Sequence, residues 1–124
     1  MGTWGSDNFQ NDGALDYIGE VIDEFASRIE ECLSDEDSSA LDEEGEAVLM
    51  PTVQIISALC EHCAAPPPKI DTVESWKEQY LAIFDDQIEG LDPQGDFAVE
   101  RRNVILATFD KLENQSRQFW QESS

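Results

Sequence analysis

The chain has 124 residues, room for one domain and too few for two ordinary ones, since domains run to about 100–150 residues. Seven basic side chains against 28 acidic ones give a net charge of −21, and so few scattered cations cannot build the footprint that a phosphate backbone or an anionic membrane surface requires. Hydrophobic residues still make up 40%, enough for a core, and no apolar run approaches the roughly 18 residues that would cross a bilayer.

Residues 1–11 mix turn formers with two large aromatics, Trp4 and Phe9, and read as a loop pinned to the body by those rings. Asn11 or Asp12 then caps a helix whose stripe is Leu15, Ile18, Ile22, Phe25, Ile29 and Cys32, with Val21 beside it. The opposite face of that helix carries Asp16, Glu20 and Glu24 at successive i, i+4 positions. Each like-charged pair costs roughly 0.2–0.5 kcal/mol, and only Glu24 with Arg28 offsets any of it. Residues 34–40 read as an acidic, serine-rich, mobile connector.

A second helix is expected over Leu41 to Cys63. It is apolar around most of its second half (Val53, Ile55, Ile56, Leu59, Cys60, Cys63) and so is the candidate central helix. Pro51 falls inside it and either kinks it or starts a new helix at its N1 position. Residues 64–69, with three consecutive prolines, end the helix as a stiff linker. A third helix begins near Asp71 or Thr72, with Thr72 and Ser75 as an imperfect capping box; it carries Val73, Trp76, Tyr80, Ile83, Phe84, Ile88 and Leu91 and is ended by Gly90 and Pro93. A fourth runs from about Asp96 to Gln121 on Ile105, Phe109, Leu112 and Phe119, with Phe97, Val104 and Trp120 beside them, before a frayed tail at 122–124. No segment alternates as a strand, so the expected fold is all-α: a single-domain irregular bundle of about four helices with an aromatic-anchored N-terminal loop. The charge is divided unevenly along it, with 16 acidic and one basic side chain in residues 1–68 and 12 and six in residues 69–124.

Chemistry-bearing patterns are sparse. Cys60-Glu61-His62-Cys63 places two thiols at i, i+3, half of a tetrahedral zinc site, but only Cys32 remains as a third thiol and His62 points about 100° from Cys63. With one histidine in the chain, a Ser or Cys nucleophile has no oriented base, and no catalytic residues are assigned. A twelve-residue calcium loop from Asp35 to Glu46 has Ala40 where the turn requires glycine, and a frame from Asp85 to Asp96 has Pro93 at its ninth position. The opening also matches a myristoylation pattern, yet one acyl chain needs a second, usually basic, signal that this chain lacks. The N-terminus has no signal-peptide layout, and three cysteines make no secreted disulfide framework, so the expected compartment is the cytoplasm.

Met1-Gly2-Thr3-Trp4-Gly5, Phe9, Asn11-Asp12, Ala14 and Asp16 resemble the N-terminal signature of a bacterial domain-of-unknown-function family, DUF4259. Further on the likeness is one of helical pattern, including Glu100-Arg101-Arg102 and Phe109-Asp110-Lys111-Leu112, while Gly13, Pro51 and the Cys60 to Cys63 cluster depart from it. The resemblance implies a small bacterial cytoplasmic protein and brings no activity with it. Read physically, the signature is a docking device for Trp4 and Phe9; its functional alternative is a small pocket edged by Trp4, Asp7, Asn11, Asp12 and Asp16. The expected function is a non-enzymatic interaction module, inhibitor- or immunity-like, needing no cofactor. Its acidic face, Glu20, Glu24 and Glu31 included, would meet a basic protein partner. The alternative is a small-molecule or metal-binding module that uses the N-terminal Asp/Asn cluster or the Cys60 and Cys63 thiols.

Overall fold

In the computed structural model the described residues are 7–35 and 40–122, and side chains are described for all of these except 41–43, 121 and 122. Trp4 and its neighbouring glycines, the centre of the acidic connector and the last two residues therefore lie outside the described residues. Four α-helices carry the fold: α1 (Asp12–Ser34), α2 (Met50–His62), α3 (Ile70–Gln87) and α4 (Phe97–Glu122), with no strand among the described residues. The expected all-α bundle is what forms. α1 and α4 each pack against both α2 and α3, so the four helices alternate around a shared core and none of them is central.

The stripes read from the sequence become the core. Ile18, Ile22, Ile29 and Cys32 of α1, Val53 and Ile56 of α2, Val73, Trp76, Tyr80 and Phe84 of α3, and Ile105, Phe109 and Leu112 of α4 are all buried, and Phe9 packs against them from outside. Asn11 caps α1: its backbone is extended and its Oδ1 accepts a 2.7 Å hydrogen bond from the Ala14 amide. That bond satisfies one of the four N–H groups that a helix start leaves without partners. Asn11→Ala is expected to cost about 1 kcal/mol, read as a lower urea midpoint with an unchanged slope.

Four expectations need correction. The second helix is not one α-helix: residues Leu41–Leu49 are π-helical, closed by i→i+5 bonds such as the Gly45 amide to the Ala40 carbonyl, and α2 starts after them with Pro51 in its first turn. Pro51 has no N–H to offer the preceding turn and Gly45 is a weak helix former, so the segment that joins them can widen. The third helix starts earlier, at Ile70, with Lys69 at its N-cap and no side-chain cap bond; Ser75 instead accepts from Gln79 Nε2. Nor does Gly90 end it. A 3-10 turn, Ile88–Leu91, follows directly, and the left-handed positions are Asp92 and Gly95, at φ 51° and 57°.

Finally, Phe119, Ile55 and Leu91 are exposed where the stripes would bury them, Leu91 because it ends the 3-10 turn rather than continuing α3. The proline run explains Phe119. Its carbonyls need donors, and α4 supplies two: Ser116 Oγ to Pro68 O at 2.7 Å and Trp120 Nε1 to Pro67 O at 3.0 Å. Turning Ser116 and Trp120 inward rotates Phe119 outward, edge-on to the Trp120 ring. Ile55 lies on the outer side of α2, beside a groove described below.

Candidate interaction surface

α1 has seven carboxylates (Asp12, Asp16, Glu20, Asp23, Glu24, Glu30, Glu31) and one cation, Arg28, all of them exposed. Asp16, Glu20, Glu24 and Glu31 share its outer face, because the buried stripe of Ile18, Ile22 and Ile29 takes the opposite one. The repayment expected from Glu24 and Arg28 does not occur, since Arg28 is in none of the ion pairs that the described residues form. Tyr17, on the same face and 64% exposed, is a residue that reading the sequence overlooked. Its signal was available: an aromatic residue off the apolar stripe, next to Asp16 and three residues before Glu20.

The other six cations are engaged elsewhere. Lys77 of α3 reaches Asp110 at 3.0 Å and Glu113 at 3.2 Å, and Arg117 approaches Glu74 and Glu113. Arg102 holds Asp85, Lys111 holds Glu61 at 2.9 Å, Arg101 holds Glu46, and Lys69 sits 4.7 Å over the Trp120 ring. Except for the pair of Arg117 with Glu113 on α4, these ion pairs stitch α4 to α3, to α2 or to the π-helical segment. Among the described residues they leave α1 without an ion pair to a cation of another element.

The most organised polar cluster is one the sequence did not announce. Glu46 accepts two bonds from the Arg101 fork, Nε and Nη2, each at 2.7 Å, and a third at 2.7 Å from the Tyr80 hydroxyl. Burial pushes the Glu46 carboxyl up, but the bonds from Arg101 and Tyr80 and the guanidinium charge outweigh it and hold the group below its ordinary value. Burial first, and then the Glu46 carboxylate, push the Tyr80 phenol up. Arg101 is pushed up too, chiefly by its hydrogen bonds to Glu46. A bidentate guanidinium–carboxylate pair that is three-quarters buried fixes the register of three elements: the π-helical segment, α3 and α4. Both charges stand on apolar stripes, Glu46 ahead of Leu49, Met50 and Val53, and Arg101 ahead of Ile105, Phe109 and Leu112. That was the legible signal. The same pairing removes Glu46 from the calcium frame considered above, and Arg102 likewise engages Asp85 of the second frame.

The residues expected to edge an N-terminal pocket do not line any of four surface cavities, of about 360–450 Å³ each. Asn11 is the helix cap, the Asp7 amide donates to Gln10 Oε1, Asp7, Asp12 and Asp16 face outward, and Trp4 lies outside the described residues. One cavity, of about 410 Å³, adjoins the acidic face. It lies between α1 and α3, with Glu30, Ser34, Asp71 and Thr72 on its walls.

Cys60 and Cys63 stay partly buried against the core, and burial pushes the Cys60 thiol up to about 11, which disfavours the thiolate that metal binding needs. His62 is exposed and 3.9 Å from Glu61. Among the described residues no three His, Cys, Asp or Glu side chains converge as metal ligands, and no helix is long and apolar enough to cross a membrane.

No curated protein and no solved structure matches the chain. A family model does, over residues 2–124, and the chain accordingly belongs to the family described as Domain of unknown function (DUF4259).

Proposed function

We propose that this chain is a non-enzymatic, inhibitor- or immunity-like interaction module of the bacterial cytoplasm, which presents the outer face of α1 to a basic protein partner and binds no nucleic acid itself. The observation that supports this reading is the partition of cations: five of the seven sit in ion pairs on other elements and a sixth lies over Trp120, while the α1 carboxylates face solvent.

Magnitudes decide what each part of that face contributes. An exposed ion pair is worth about 0–1 kcal/mol, so a row of carboxylates supplies speed of encounter, salt sensitivity and discrimination more than affinity. Affinity needs a desolvated anchor, and Tyr17 is the one large side chain exposed on this face. Asp16, Glu20 and Glu24 rise about 6 Å per step along the helix, a spacing that a basic helix with Lys or Arg at i, i+4 reproduces.

Capture from native lysate at low salt tests the reading. Basic proteins that elute with salt are expected, and Tyr17→Ala should weaken their retention at least about tenfold, as a hot-spot aromatic does. Acidic partners only, or none at low salt, would overturn it.

A further inference from the structure

The cavity of about 410 Å³ between α1 and α3 falls within the size range of small-ligand pockets. Glu30 lines it from α1, and Asp71, Ser75, Trp76 and Gln79 line it from α3. Neither carboxylate is in an ion pair among the described residues. Trp76 adds a second requirement. Only 2% of it is exposed, and its indole N–H donates to no acceptor among the described residues. Yet no side-chain nitrogen or oxygen among them is both sealed from solvent and unpartnered. The indole nitrogen therefore keeps a sliver of open surface, and of the four cavities Trp76 lines only this one. A buried side chain thus aims an unused donor into the cavity. One residue earlier, Ser75 Oγ accepts from Gln79 Nε2 at 2.9 Å, which leaves the hydroxyl proton for another acceptor.

Two carboxylates and two unused donors specify a ligand that is cationic and also carries oxygen acceptors. A bare metal ion would satisfy the carboxylates and nothing else, because an N–H donor cannot coordinate it. A protonated polyamine brings only donors, and an anionic ligand is repelled by Glu30, Asp71 and a chain of net charge −21. A polyhydroxylated ammonium suits every group. Its ammonium takes one carboxylate, a hydroxyl donates to the other, and its oxygens accept from Trp76 and Ser75. We infer that the α1/α3 cavity binds a small polyhydroxylated amine of the amino-sugar kind. This does not depend on the function proposed above.

Titration of the full, isotope-labelled chain tests it, followed by NMR at the indole N–H resonances. Glucosamine, in mildly acidic buffer that keeps its amine protonated, should move the Trp76 resonance saturably. That of Trp120, already bonded to Pro67 O, should stay in place. N-acetylglucosamine, which lacks the charge, and spermidine, which lacks the acceptors, should each bind there at least about tenfold more weakly. Glucosamine should lose as much on Glu30→Gln/Asp71→Asn, whose substituted side chains are exposed so that cooperative folding is kept. A Trp76 resonance that glucosamine leaves unmoved would overturn the inference. So would equal binding of N-acetylglucosamine or spermidine, or undiminished binding of glucosamine to the double variant.

Discussion

Arg101→Met is expected to lower stability by about 2–4 kcal/mol, more than loss of any other cation in the chain. The substitution keeps most of the side-chain volume and leaves the Glu46 carboxylate three-quarters buried without its counter-charge. Removing one partner of a fully buried pair costs about 3–5 kcal/mol, and partial exposure trims that. For a chain of this length the melting temperature should fall by roughly 6–15 °C. The double change Arg101→Met/Glu46→Leu should recover only part of the loss, because an apolar pair of similar size replaces both charges while the buried Tyr80 hydroxyl loses its acceptor. If the single and double variants melt together, the Glu46 charge is not what the guanidinium compensates.

The pH dependence follows from the same cluster. Glu46 titrates below its ordinary value of 4.5 in the folded chain, so its contribution is present above the unfolded value and is lost as pH falls through the lower folded one. Tyr80 is raised from 10.0, so its contribution is complete below pH 10 and is lost as pH rises through the folded value. Arg101→Met should therefore flatten the acid limb of a stability profile.

The second large effect separates stability from binding. Changing Asp16→Asn, Glu20→Gln, Glu24→Gln and Glu31→Gln removes three like-charged i, i+4 contacts, Asp12/Asp16, Asp16/Glu20 and Glu20/Glu24, and should stabilise the chain by about 0.6–1.5 kcal/mol. Urea unfolding reads that gain directly. If α1 is the partner-facing surface, the same variant should lose at least about tenfold in association rate at low salt, the scale on which electrostatic steering acts. A helix that becomes more stable and less functional on losing its charges carries them for a purpose other than folding. A variant that is neither more stable nor slower to bind would show that those carboxylates are indifferent to both.

Reading the sequence recovered the helices to within a residue or two wherever 3.6-residue periodicity governed, as in α1 and α4, and the Asn11 cap followed from side-chain chemistry at one position. It failed where tertiary partners decide. Nothing local announces that residues Leu41–Leu49 wind as a π-helix; that geometry accompanies a carboxylate that reaches across to Arg101 and Tyr80, which lie 55 and 34 residues away. Phe119 was assigned to the core on period alone, and the donors demanded by the Pro67 and Pro68 carbonyls overrode the period. The candidate surface was half visible. The α1 carboxylates are plain in the sequence, whereas their lack of cations depends on where six distant Lys and Arg side chains find partners.

The partner proposed above would meet the uncompensated face of α1. The most direct test is the association rate of the captured partner as a function of salt, for the natural chain, for the four-site α1 variant and for a control with Glu78→Gln and Asp86→Asn on α3. The natural chain and the control should associate fast at low salt and slow steeply as salt rises. The α1 variant should start at least about tenfold slower and converge with them near 1 M salt, where screening acts within about 3 Å. Three curves that coincide at every salt concentration would contradict the account.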